Sequence, residues 1–213
     1  MSRTRVLVAL MLLLQGCAAL VVEPEPAPPR GGLRSLAGQP GLVIGSPYGG
    51  PDDLSDQISL ELARQTGFGL VVAADLPRDR GGLEEAYRLH VREVARGPLR
   101  LYVEIHGGQG AAKRIEIVTV GVNRDEAWRL RTLFELIRDA HLRARHELPR
   151  LDVLVRPAES NAAAAAGVAL HAPERAFRIG LPRAIRTPGY QVYTAILAEF
   201  LTESSRLLLT RGM

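Results

Sequence analysis

A chain of 213 residues, 46% hydrophobic and 23% charged, is long enough for one globular domain with a full core, and its composition excludes disorder beyond the N-terminal region. The 27 basic residues nearly balance the 23 acidic ones, for a formal net charge of +4. Arginines such as Arg88, Arg92, Arg96 and Arg100 are scattered with no aromatic platform among them, so nothing argues for a nucleic-acid partner.

The N-terminus reads as an export signal. Arg3 and Arg5 precede the unbroken apolar run Val6 to Leu14, too short to span a bilayer but right for the core of a signal peptide. Removal of those two arginines leaves a net charge of about +2. The run ends in Leu14-Gln15-Gly16-Cys17, which resembles the lipobox of bacterial lipoproteins. That resemblance implies that Cys17 is acylated and becomes the first mature residue. It further implies an envelope location, and Ala18, where an inner-membrane retention signal would place aspartate, directs the protein to the outer membrane facing the periplasm. The alternative is an uncleaved anchor helix from Val6 to Val22, which Gln15 and Gly16 interrupt. Both readings make the membrane a partner. Cys17 is the only cysteine, so no intrachain disulfide can form. Glu23-Pro24-Glu25-Pro26-Ala27-Pro28-Pro29 favours extended polyproline II. The expected organisation is a signal peptide over 1–16, an anchored spacer over 17–36 and one domain over 37–213.

Strand and helix patterns then alternate. Leu42-Val43-Ile44 is a short strand closed by Gly45 and Pro47, and a helix follows from Leu54 to Gln65, with Asp52 or Asp53 as its N-cap and Gly67 as its stop. Leu70-Val71-Val72-Ala73 is the second strand. A helix from Leu83 to Ala95 places Leu83, Tyr87, Val91 and Val94 on one face, with His90 beside it in a structural role. Leu101 to Gly107 is a buried strand ending in Glu104-Ile105-His106-Gly107-Gly108, and Ile115 to Val120 is the next. A long helix from Asp125 to Arg145 has an apolar face of Trp128, Leu130, Leu133, Phe134 and Ile137. Its His141 and His146 are five residues apart, the wrong spacing for a metal pair on one helical face. Leu151 to Val155 and Phe177 to Leu181 are further strands, and a helix from Tyr190 to Leu209 completes the domain. The predicted fold class is α/β, three layers with a mostly parallel or mixed central sheet.

Chemistry is sought where strands end, because ligands of open α/β sheets bind beyond the carboxyl ends of the strands. The ends are Ser46-Pro47-Tyr48-Gly49-Gly50, Glu104-Ile105-His106-Gly107 and Ile179-Gly180-Leu181-Pro182-Arg183. Their order resembles the N-formylglutamate amidohydrolase family, within the zinc carboxypeptidase-like hydrolases, over about Gly41 to Leu209. The resemblance implies an amide hydrolase fold with a zinc site, the metal histidines falling on Tyr48 and His106 and the catalytic glutamate on Gly180. Two of these positions depart from the pattern. A tyrosine, with a pKa near 10, is a poor zinc donor at neutral pH. Glycine cannot act as a base.

A rearranged zinc site of His106, Asp52 and His171 is chemically permissible, with Glu174 or Glu104 as catalytic carboxylate. The plainer readings are that His106 bonds a neighbouring carbonyl, that Glu104 pairs with an arginine, and that Tyr48 walls a pocket. Arg183 and Arg186 could hold a substrate carboxylate. The sequence therefore leads to an envelope lipoprotein whose domain has lost most of its zinc site, needs no cofactor, and binds a small carboxylate or acylated ligand or a protein partner. The alternatives are an active zinc hydrolase with the rearranged site and a structural envelope module.

Overall fold

The computed structural model describes residues 32–49, 54–74, 81–107, 114–158, 174–186 and 190–209. Its strands are β1 (Gly32–Leu36), β2 (Gln39–Gly49), β3 (Phe68–Ala74), β4 (Leu101–Gly107), β5 (Arg114–Val120), β6 (Asp152–Pro157) and β7 (Arg175–Leu181). Its helices are α1 (Ser55–Thr66), α2 (Gly81–Ala95), α3 (Arg124–Leu142) and α4 (Tyr190–Leu209), with a short 3₁₀ turn at Arg183–Arg186. One mixed sheet takes the order β1-β3-β2-β4-β7-β5-β6. The fold is α/β, as expected.

Successive side chains of a strand point to opposite faces, and the two faces carry separate cores. On the first, Leu42 and Ile44 of β2, Val103 and Ile105 of β4, Ile115 and Ile117 of β5, and Phe177 and Ile179 of β7 pack under α1, α3 and α4. Phe200 of α4 anchors that layer, edge-on to Phe134 of α3 at 5.4 Å and stacked on Phe177 at 6.2 Å between ring centroids. On the second face Val43, Val71, Ala73 and Tyr102 pack under Tyr87, Val91 and Val94 of α2. Residues Leu101 to Ile105 of β4 are buried on both faces, which explains the continuous run in the sequence.

Helix ends follow local chemistry. Asn123 caps α3 through a reciprocal pair of bonds: its side chain accepts from the Glu126 N–H, and the Glu126 carboxylate accepts from the Asn123 N–H. Gly67 stops α1 as predicted, adopting φ 72° and donating its N–H to the Ala63 carbonyl.

Four expectations are corrected. Residues 32–36, assigned to the spacer, form β1, antiparallel to β3 at the sheet edge. The strand at Leu42-Val43-Ile44 does not close at Gly45 but runs for 11 residues. A Cβ at Gly45 would collide with the hydroxyls of Tyr87 and Tyr102, which bond to each other at 3.1 Å while Tyr87 donates to the Val71 carbonyl at 3.0 Å. Gly45 makes room for buried polar groups and does not break the strand. The N-cap of α1 is Leu54, in the left-handed region at φ 55° and with no side-chain cap, not Asp52 or Asp53. Finally, Trp128 lies outside the core: it is 67% exposed, while Leu130, Phe134 and Ile137 of the same helix are buried.

Candidate functional site

Strands β3, β2, β4 and β7 are neighbours and mutually parallel, so their carboxyl ends share one edge. The chain leaves β2 through α1 on the first face to reach β3, then crosses through α2 on the second face to β4, on the other side of β2. The direction of winding reverses between β2 and β4, and a crevice opens at such a reversal. The predicted convergence of strand ends is therefore a property of the topology.

Register places the functional side chains. His106 is level with Gly180 of β7, and Glu104 is level with Arg178. Alternation puts Tyr102, Glu104 and His106 on the second face, together with Ala176, Arg178 and Gly180. A Cβ built on Gly180 would lie 3.3 Å from Cε1 and 3.5 Å from Nε2 of His106, so the imidazole rests over the glycine. Across β7 the same level is occupied by Glu116 of β5, whose Oε1 accepts from Nε and Nη2 of Arg156 at 3.0 and 2.9 Å.

Glu104 is wholly buried. Its Oε1 lies 3.3 Å from Nε of Arg178, so the expected arginine pairing exists. The geometry nevertheless makes no hydrogen bond, and among the described residues both carboxylate oxygens and Arg178 Nε have no hydrogen-bond partner. Burial pushes the Glu104 pKa up to about 7, opposed in part by the positive charge of Arg178.

The other predicted residues distribute unevenly. Arg183 follows β7 at the edge that carries His106 and is exposed. Glu174 directly precedes β7, where its N–H donates to the Leu99 carbonyl, level with the start of β4. Six strand residues at about 3.3 Å each separate that position from His106, so Glu174 is corrected from a catalytic base to an exposed group on the opposite edge. Tyr48 lies on β2, but its side chain and that of Arg186 are outside what is described, as are Cys17, Asp52 and His171 altogether. His90 and His141 are surface groups paired with Glu93 and Glu199.

Among the described residues no group of three His, Cys, Asp or Glu side chains could hold a metal ion. Among the described residues His106 is the imidazole at the crevice edge, and the nearest carboxylate on its strand, Glu104, is buried. Catalytic zinc takes three protein ligands, and two of the expected three, Asp52 and His171, lie outside the described residues. Sequence reasoning missed Arg178. The signal was available as its two-residue spacing from Gly180, but only the register with β4 gives that spacing a meaning.

No family model matches the chain, and no curated protein matches it in sequence. Solved structures do resemble it. A bacteriophage poly-gamma-glutamate hydrolase superposes with a TM-score of 0.55 at 13% identity, covering 86% of this chain and 93% of that one. Gene product Atu2144 from Agrobacterium tumefaciens gives 0.46 at 11% identity, covering 84% and 96%. An N-acetylmuramoyl-L-alanine amidase from Clostridium difficile 630 gives 0.42 at 14%, covering 80% and 97%. The first of these shows the fold: the chain shares the α/β architecture of that protein. No helix of the described residues is long and apolar enough to cross a membrane.

Proposed function

We propose that this is a lipid-anchored envelope protein whose amidohydrolase-like domain binds a small carboxylate or acylated ligand at the β2–β4 crevice and does not hydrolyse it through zinc. The observation that carries the reading is Gly180. It occupies the place that the family resemblance gives to the catalytic glutamate, and the His106 ring lies over it. A missing general base typically costs 10²- to 10⁴-fold in rate. The residues left at the edge, His106 and Arg183, are suited to holding an anion. Acylation of Cys17 supplies the membrane attachment, and two or more acyl chains make such attachment stable.

The test uses the full chain purified in detergent. Zinc is measured by elemental analysis, binding of N-acetyl-L-alanine by calorimetry, and cleavage of N-acetylated dipeptides by release of free amine. The expected result is binding without turnover and with zinc well below one ion per chain. Stoichiometric zinc that is lost in His106→Ala, together with cleavage, would instead establish the rearranged hydrolase. Absence of any binding would favour the structural module. Labelled palmitate should enter the wild-type chain and not Cys17→Ser.

A further inference from the structure

Arg178 differs from Arg156 and Arg175 of the same sheet. Arg156 places two nitrogens on Glu116, and Arg175 bonds the Gly121 carbonyl and Glu126. Among the described residues Arg178 pairs with Glu104, at 3.3 Å and without hydrogen-bond geometry. Its Nε is enclosed, whereas its two Nη atoms are not among the enclosed ones, and the side chain as a whole is 31% exposed. The guanidinium therefore faces a buried carboxylate on one side and is partly exposed on the other.

Strand register sets its surroundings. The second-face neighbours of Arg178 along β7 are Ala176 and Gly180, which are small, while β4 contributes Glu104 and His106 on one side and β5 contributes Glu116 and Val118 on the other. None of these small or apolar neighbours offers an acceptor to the Nη atoms. A planar fork of N–H donors in such a place matches the two oxygens of a carboxylate.

We propose that Arg178 is the residue that recognises the ligand carboxylate, its guanidinium paired on the β4 side with Glu104. This rests on the reading of the crevice as a carboxylate-binding site and names the group that reads the ligand's charge. Glu104 is a positioning residue, since it has no exposed surface. The competing explanation is that Arg178 only neutralises Glu104, in which case the ligand would not depend on it.

The experiment titrates the full chain in detergent with N-acetyl-L-alanine and, separately, with N-acetyl-L-alaninamide, which lacks the carboxylate. Calorimetry gives the affinity, and ¹⁵N-labelled arginine reports the Nε resonance of Arg178, assigned by its loss in Arg178→Gln. The acid should bind and move that resonance; the amide should bind at least about tenfold more weakly, and Arg178→Gln should weaken the acid by about ten- to hundredfold. Should Arg178→Gln fail to fold because Glu104 is left alone, the double variant Glu104→Gln/Arg178→Gln restores a neutral pair and should show the same loss. Unchanged binding of the acid by either variant overturns the role of Arg178 while leaving the site itself standing, a result that loss of binding in Arg183→Gln would explain. No binding of the acid by the wild-type chain defeats the site reading and this proposal together.

Discussion

Glu104 carries a conflict between solvation and charge. A carboxylate with no exposed surface loses its hydration, and one arginine nitrogen at 3.3 Å compensates only in part, so the folded chain holds the proton up to a pH of about 7. The unfolded chain releases it near pH 4.5. Between these values the folded state binds more protons, so Glu104's contribution to stability is fully present below pH 4.5 and is lost as pH rises through about 7. Glu104→Gln should flatten that dependence. Comparing urea midpoints of the two proteins at pH 5 and pH 8 measures it: the wild type should lose on the order of a few kcal/mol relative to the variant. An equal change in both would mean that the carboxylate is solvated in the folded protein.

At the scale of elements, α3 illustrates what periodicity leaves open. Leu130, Phe134 and Ile137 recur at helical spacing and are buried, but Trp128, two residues before Leu130, is 67% exposed and Leu136 is 65% exposed. Residues two apart on a helix do not share a face, so the core stripe is narrower than the run of apolar residues. Trp128 is the only tryptophan, which makes the consequence measurable. Its emission should be water-like in the native state and change little on unfolding, and Trp128→Ala should alter stability by no more than about 0.5 kcal/mol. Phe134→Ala should cost about 3–5 kcal/mol, since Phe134 is wholly buried against Phe200. A large blue shift of the native emission would contradict the exposed placement.

At the scale of the molecule, β1 completes one edge of the sheet. Gly32 to Leu36 pairs with Ala74 to Leu70 of β3, so β1 covers backbone donors and acceptors that would otherwise face solvent. A chain beginning at residue 37 should therefore be less stable and more prone to associate than one beginning at residue 32, as thermal unfolding and size-exclusion chromatography would record. Equal behaviour of the two would make β1 an accessory to the fold.

Much of this was legible in the chain. The alternation of β-rich runs with helical periodicities gave the α/β class because each pattern must bury one face or stripe, and Gly67 marked a helix end because it tolerates a positive φ. His106 and Glu104 stood out as ionisable groups in an apolar strand. Other features depended on partners distant in sequence. Gly45 reads as a strand breaker until Tyr87 and Tyr102 are seen to meet above it, and residues 32–36 read as spacer until β3 provides their hydrogen bonds. Glu174 and Gly180 are six residues apart in sequence, yet the direction of β7 puts them at opposite edges of the sheet, and only Gly180 beside His106. Local sequence determines which residues can form a strand, and hence the fold class. Which strand lies next to it, and in what register, is set by packing of the whole sheet, and that packing placed Arg178 on Glu104 and His106 over Gly180.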